Sequence, residues 1–268
     1  MPLISIAAPD DPRLAEFRNV PDAELLLRHG LFVAEGRLVV RRLLAESPFA
    51  ARSVMLTEPA LTSLHDVLTT HDGLPVYVVP QDVMNEITGF NIHRGCLALG
   101  ERPHARSVNS LVELPLARRL VAMERVSNAD NVGAIFRNAA AFDVDGILVG
   151  PSCTDPLYRK AIRTSMGAAL ITPFVDAQPW PAVLQGLHAD GWAVVAMTPS
   201  PAALPLADVA DLVRGVRTVI VVGHEGEGLA QDSIAASSYQ ARIPMASGVD
   251  SVNVATATAI ALYELTRS

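Results

Sequence analysis

Three stretches of this chain combine polar side chains with residues small enough to let a ligand come close. "NADNVGAIFRNAAAFD" spans 128–143, "GHEGEGL" spans 223–229 and "IPMASGVDSVN" spans 243–253. In the first, Val132, Ile135, Phe136, Ala139 and Phe142 recur at helical spacing and mark a face to be buried. Arg137 lies away from that face, among Gly133, Ala134, Ala140 and Ala141. A guanidinium on a side cleared of bulk is a fork-shaped donor suited to phosphate. The plain alternative is a solvated arginine, the commonest state of such residues on amphipathic helices.

In the second stretch, Gly223, Gly226 and Gly228 allow backbone to approach a ligand. The spacing is G-x-x-G-x-G, with Glu225 and Glu227 placed to repel a pyrophosphate, so a dinucleotide fingerprint does not fit. There is no G-x-x-x-x-G-K-[ST] phosphate loop and no G-x-S-x-G elbow. Histidines 29, 65, 71, 93, 104, 188 and 224 lack metal-ligand spacing, so no metal site is expected. The three stretches offer Asn, Arg, Glu and Ser, with His224 as the one conventional base. That is an unusual set for hydrolysis.

Elements must bring these stretches together. Short apolar runs recur at "LVAME" (120–124), "GILVG" (146–150), "WAVVAM" (192–197), "TVIVVG" (218–223) and "ARIPM" (241–245), with room for helices between them. Apolar runs without alternation suit strands covered on both faces, which predicts an α/β fold with a parallel sheet. Each of the three stretches lies at or just after one of these runs, at the strand ends where open α/β sheets place ligands. The final helix, read over "SVNVATATAIALYEL", is long and nearly uncharged, which predicts more than one covering neighbour, such as a second subunit.

The N-terminal part alternates as well. Helical "DAELLLRHG" and "AEGRLVVRRLLAE" precede strand-like "PVYVV" and "GCLALG". Arg37 and Arg41 are four apart on one helix, with Arg42 adjacent and Arg28 upstream, the densest basic surface in the chain. Between the two parts, "ERPHARSVNSLVELPLA" (101–117) mixes Pro, Ser, Asn and charges and reads as a linker.

Composition narrows the classes. Half of the 268 residues are hydrophobic and 18% are charged, as in a globular protein. Cys96 and Cys153 are too few for a disulfide framework, which fits a reducing cytoplasm. The N-terminus "MPLISIAAPDDPRLAEF" lacks the pattern of a signal peptide, and the longest uncharged apolar segment, Ser251 to Tyr263, is too short for a bilayer. A cytoplasmic protein without membrane contact is expected. A net charge of −7 argues against coating nucleic acid by bulk electrostatics, so any such contact must be local. Of 21 basic residues only Lys160 is lysine; GC-rich coding explains such a bias, but it also makes nearly every basic site a fork.

The three stretches, in this order, resemble the three motifs of the SpoU (TrmH-like) family, RNA 2′-O-ribose methyltransferases of the SPOUT superfamily. "TSMGAAL" (164–170) is similar to a further family segment. "LFVAEGRLVVRRLL" and "HRGCLALG" are similar to the L30e-like substrate-binding domain that many members carry. The resemblance implies a smaller L30e-like α/β domain over 1–103, a linker over 104–117, and a parallel-sheet methyltransferase domain over 118–268 with a C-terminal trefoil knot. It implies S-adenosylmethionine bound mainly through backbone near Thr198, Gly223, Ile243, Met245 and Val252. It assigns catalysis to Arg137 with Asn131 as partner, Glu225 as the motif-two acid, and Ser251 and Asn253 as the motif-three polar pair. The plain alternative for Asn131 and Ser251 is helix capping. Val252 stands where leucine is common, and His224 and Asp143 stand where other residues are frequent.

The implied reaction is an in-line displacement at a sulfonium methyl by a ribose hydroxyl. Arginine is a poor base, its pKa exceeding about 12, so Arg137 is expected to orient the ribose and stabilise alkoxide. Arg28, Arg37, Arg41 and Arg42 are the expected RNA contacts, ribosomal RNA is favoured over tRNA, and a homodimer through the C-terminal domain is expected. A non-catalytic RNA-binding or assembly factor on this fold stays open, and a nicotinamide-dependent oxidoreductase is the more distant alternative.

Overall fold

The computed structural model describes residues 1–18, 21–89, 95–102, 107–112 and 117–266. The chain forms two compact units. The first comprises Met1–His104 with Pro156–Ile171, and the second Ala105–Asp155 with Thr172–Ser268. Within the expected linker over 104–117, residues 104–106 and 113–116 lie outside the described set, and the described part holds a short helix at Asn109–Val112.

The first unit holds strands β1 (Leu3–Ser5), β2 (Leu31–Glu35), β3 (Ala51–Leu56), β4 (Val76–Val78) and β5 (Cys96–Glu101). They form one mixed sheet in the order β1-β4-β3-β5-β2, with β5 antiparallel to both its neighbours. "PVYVV" and "GCLALG" supply β4 and β5. "DAELLLRHG" forms the helix Asp22–His29, which ends on Gly30 at φ 64°, a left-handed cap that glycine adopts without strain. The next helix differs from the sequence reading, which started it at Ala34. Ala34 and Glu35 instead pair with Ala98 and Leu97 in the sheet, Gly36 turns the chain at φ 94°, and the helix runs Arg37–Ala45. The chance to bury Leu31, Phe32 and Val33 overrides the helical spacing of the residues that follow.

Pro156–Ile171, read in sequence as an uninterrupted part of the second domain, packs in the first unit. The reason is polar as well as apolar. Arg159 Nε donates to Glu35 Oε2 at 3.0 Å, and the Arg159 backbone N–H donates to Asp22 Oδ2 at 3.1 Å. Burial pushes the Asp22 carboxyl above its ordinary range, partly opposed by that N–H and by the Arg159 charge. The Arg159 and Glu35 side chains are only 20% and 13% exposed, so removing one partner strands a desolvated charge. Arg159→Ala should lower stability by about 2 kcal/mol, measured as a reduced denaturant midpoint. An unchanged midpoint would mean that the pair contributes nothing.

The second unit holds β6 (Arg119–Met123), β7 (Gly146–Val149), β8 (Phe174–Asp176), β9 (Ala193–Met197), β10 (Leu204–Pro205), β11 (Thr218–Val222) and β12 (Tyr239–Arg242). Their order is β10-β12-β9-β11-β6-β7-β8, and every pairing is parallel. All residues of β7 and β11 are buried, as expected of strands covered on both faces. β8 and β10 have no counterpart among the apolar runs, being three and two residues long with prolines beside or within them. "ARIPM" is also shifted: β12 ends at Arg242, leaving Ile243, Pro244 and Met245 in the following loop.

Two helices matter for the site. Ala129–Ala141 buries Val132, Ile135, Phe136 and Ala139, and the Phe136 ring meets Phe174 edge-on at 5.6 Å. The last helix is Val254–Thr266, not the segment from Ser251, because Asn253 caps it. It packs beside Ala129–Ala141, where Asn138 Nδ2 donates to the Ala255 carbonyl at 2.8 Å. No helix among the described residues is long and apolar enough to cross a membrane.

Candidate active site

Strands β12, β9, β11 and β6 are consecutive neighbours in the parallel sheet, so their C-terminal ends share one edge. The chain visits β6, β7 and β8 on one side and then crosses to β9 on the other, so its strand order reverses beside β6. Open α/β sheets form ligand crevices at such a reversal. Thr198 follows β9, Gly223 follows β11, and Ile243 and Met245 follow β12. These four and Val252 all line one cavity, together with Glu225 and Ser251. His224 and Asp250 line it as well; Asp250 had no role in the sequence reading, although it stands directly before Ser251.

The glycine loop is built for close backbone approach. A Cβ on Gly223 would lie 2.7 Å from the Gly228 carbonyl carbon and 2.8 Å from Leu229 N, so these backbones touch with nothing between them. Gly228 takes φ 68°, and its N–H donates to the His224 carbonyl at 3.0 Å. His224 Nδ1 accepts from the Gly226 and Glu227 N–H groups at 3.0 and 3.2 Å. That imidazole nitrogen is occupied in folding the loop, which removes the obvious general base from the cavity.

Motif one and motif three are joined by amides. Asn253 Nδ2 donates to Asn131 Oδ1 at 2.9 Å, while Asn253 Oδ1 accepts from Ala255 N and Thr256 N at 2.9 and 3.3 Å. One side chain thus caps the last helix and holds Asn131, which is itself 7% exposed. The capping alternative for Asn131 does not hold: Asn128 caps that helix, accepting from Asp130 N at 2.8 Å. Nor does Ser251 cap the last helix, since Asn253 does so and Ser251 faces the cavity.

Arg137 is exposed on the same side of its helix as Ala140 and Ala141. Its side chain forms no hydrogen bond or ion pair with the described residues, and it does not line the cavity. Cys153 is no nucleophile, because burial pushes its thiol up to about 11 and its Sγ faces the Met123 carbonyl at 3.4 Å. Among the described residues no His, Cys, Asp and Glu cluster could hold a metal ion; His93 and His104 lie outside them.

The four arginines of the first unit are not equivalent. Arg28 pairs with Glu24 at 2.9 Å. Arg41 forks onto Asp66 at 2.5 and 2.9 Å, a bond that holds the Asp66 carboxyl down to about 2. Arg42 donates to the Met166 carbonyl at 3.0 Å. Arg37 is exposed and makes no hydrogen bond or ion pair with the described residues, so it is the guanidinium free to meet a phosphate. Spacing on a helix gives a shared face but not the acids that reach it from elsewhere.

Residues 118–263 match the SpoU rRNA Methylase family, and the chain belongs to it. It is therefore a methyltransferase of that family. A relative from Mycobacterium bovis, an uncharacterized tRNA/rRNA methyltransferase, is 42% identical over 267 residues, covering 98% of this chain and 91% of the relative. The fold is similar to that of an AdoMet-bound rRNA methyltransferase from Sinorhizobium meliloti, with a TM-score of 0.82, 23% identity, and coverage of 99% and 98% of the two chains. It is also similar to the SpoU methyltransferase AviRb from Streptomyces viridochromogenes in complex with AdoMet, with a TM-score of 0.81, 22% identity, and coverage of 96% and 98%.

Proposed function

We propose that this protein is an S-adenosylmethionine-dependent RNA methyltransferase acting on a ribose 2′-hydroxyl in the cytoplasm, with ribosomal RNA favoured over tRNA. The observation that carries this reading is the single cavity lined by Thr198, Gly223, Ile243, Met245 and Val252 at the ends of adjacent parallel strands. Its glycine loop, closed to any Cβ at Gly223, suits a ligand recognised through backbone groups. When bound, S-adenosylmethionine supplies an electrophilic methyl group on a sulfonium. Glu225 and Ser251 offer polar groups within that cavity. Asn253 fixes Asn131 by accepting two backbone N–H bonds while donating its own amide, which pre-organises the motif-one helix. Arg137 orients the ribose and stabilises negative charge on its oxygen, while the hydroxyl proton passes to solvent and the sulfur leaves as a neutral thioether. The C-terminal segment forms the trefoil knot of the family, a reading supported by family membership. Incubation with methyl-labelled S-adenosylmethionine and purified rRNA or tRNA tests the substrate. Label in rRNA is expected; label in tRNA alone would reverse that preference, and label in neither would remove the RNA reading.

The first unit is the RNA-capturing, L30e-like part in this proposal. Arg37→Ala should weaken RNA binding and reduce the slope of log K against log salt by about 1, with S-adenosylmethionine affinity unchanged. An unaltered slope would move the phosphate contact elsewhere. The protein is also proposed to pair with a second copy through its last helix, where Ile260 is 37% and Tyr263 55% exposed. Tyr263 meets Phe142 edge-on at 6.4 Å, which extends that apolar surface to the end of the motif-one helix. Light scattering at micromolar concentration should find a dimer for wild type and a monomer for Ile260→Glu. A wild-type monomer would contradict the pairing.

A further inference from the structure

The glycine loop after β11 has two sides. One side faces the cavity through Gly223, His224, Glu225, Gly226 and Gly228. The other is held by the two residues that follow β6. Arg125 Nη1 donates to Glu227 Oε2 at 2.7 Å and Nη2 donates to the Gly228 carbonyl at 3.1 Å. Arg125 Nε lies 3.4 Å from Glu124 Oε1, and that same oxygen accepts from Ala230 N at 3.1 Å. One guanidinium–carboxylate pair therefore fixes residues 227, 228 and 230, the returning limb of the loop. The pair stands on a fixed base: Glu124 N donates to Val222 O and Arg125 N to Pro151 O, each at 2.9 Å.

Two features are unfavourable by themselves. Arg125 takes φ 57°, a left-handed conformation rare for non-glycine residues. Glu124 is 2% exposed, and its Oε2 is buried without a hydrogen-bond partner. Local strain and an incompletely satisfied buried acid tend to accumulate where function requires them. The bonds are also unequal. Glu227 is 73% exposed, so its pairing with Arg125 contributes little. The bonds to Gly228 and Ala230 involve backbone beside the cavity, with a charged partner in each case, and those are the stronger kind.

We propose that Arg125, backed by buried Glu124, is a positioning residue that holds the loop 223–230 in the shape that receives S-adenosylmethionine. It acts through the loop and does not itself line the cavity. The inference rests on the proposed methyl donor, and on the loop's role in binding it. Calorimetric titration of S-adenosylmethionine into full-length wild type, Arg125→Ala, Arg125→Lys and Glu227→Ala tests it, together with amide hydrogen exchange over 223–230. Arg125→Ala should weaken binding roughly tenfold and speed exchange in the loop while the sheet strands keep their protection. Glu227→Ala should stay within about twofold. Arg125→Lys keeps the charge beside Glu124 and loses the fork, so it should restore folding better than affinity. Equal affinity and equal loop exchange in wild type and Arg125→Ala would overturn the assignment. Should Arg125→Ala unfold, unchanged affinity in Arg125→Lys with unchanged loop exchange would do the same. Wild type that does not bind S-adenosylmethionine would instead remove the cofactor reading, and the exchange comparison would then decide the clamp by itself.

Discussion

Arg137→Ala should slow single-turnover methyl transfer at saturating RNA by about two to three orders of magnitude, the usual scale for losing a preorganised electrostatic stabiliser. Two other quantities should hardly move. Arg137 is exposed and makes no hydrogen bond or ion pair with the described residues, so its removal leaves no buried group unsatisfied. Stability should change by less than about 0.5 kcal/mol. Arg137 does not line the cavity, so S-adenosylmethionine affinity should be retained. Arg137→Lys keeps the charge but offers a point donor in place of the fork, and should recover little of the rate. A solvated arginine without function predicts wild-type transfer in both variants. The combination of lost rate, intact fold and intact cofactor affinity separates these accounts.

Gly223→Ala should act on binding instead. The added methyl would sit 2.7–2.8 Å from the backbone of Gly228 and Leu229, where no flexible side chain can yield. The loop must then open, and with it the Gly228 N–H bond to His224. Overpacking of this kind costs about 1–3 kcal/mol. Because the displaced backbone lines the cavity, S-adenosylmethionine affinity should fall by about 10- to 100-fold, the binding equivalent of that energy. Gly226 offers an internal control: a Cβ there would meet only the His224 ring at 3.5 Å, an ordinary contact. Gly226→Ala should leave the loop closed and lose less stability than Gly223→Ala. Equal losses at both positions would point to general loop stiffening, and no loss at either would remove the close-backbone account of the cavity.

Much of this site was legible in the chain because parallel strands advertise themselves. Runs such as "TVIVV" are apolar at every position, and a polar, glycine-rich stretch directly after such a run has few places to be except a strand end. Two of the cavity's three loops, at 223–228 and 243–252, coincide with such stretches, whereas Thr198 was named only through the family resemblance and the first stretch does not line the cavity. Boundaries were harder. Pro244 cannot donate to a ladder, and β12 stops two residues before it. Asn128 and Asn253 each stand close to a competing capping candidate, and only backbone geometry selects between neighbours. The tertiary partners were not legible at all. Asp66 reaches Arg41 from 25 residues away, and Arg125 meets Glu227 across 102 residues. Such pairs depend on loop and helix placement, which no local period encodes. The residence of Pro156–Ile171 in the first unit has the same origin, since its anchors Asp22 and Glu35 are more than a hundred residues upstream.

The reaction itself is most directly tested by identifying the methylated position. RNA labelled by the wild-type enzyme with methyl-labelled S-adenosylmethionine would be digested to nucleosides and resolved by mass spectrometry, with alkaline hydrolysis in parallel. A ribose-methylated nucleoside, recovered from an alkali-resistant dinucleotide, is the predicted result, because a 2′-O-methyl group blocks cleavage at that ribose. The Arg137→Ala enzyme should yield little of it. Label found on a base, released in alkali as an ordinary mononucleotide, would contradict the account.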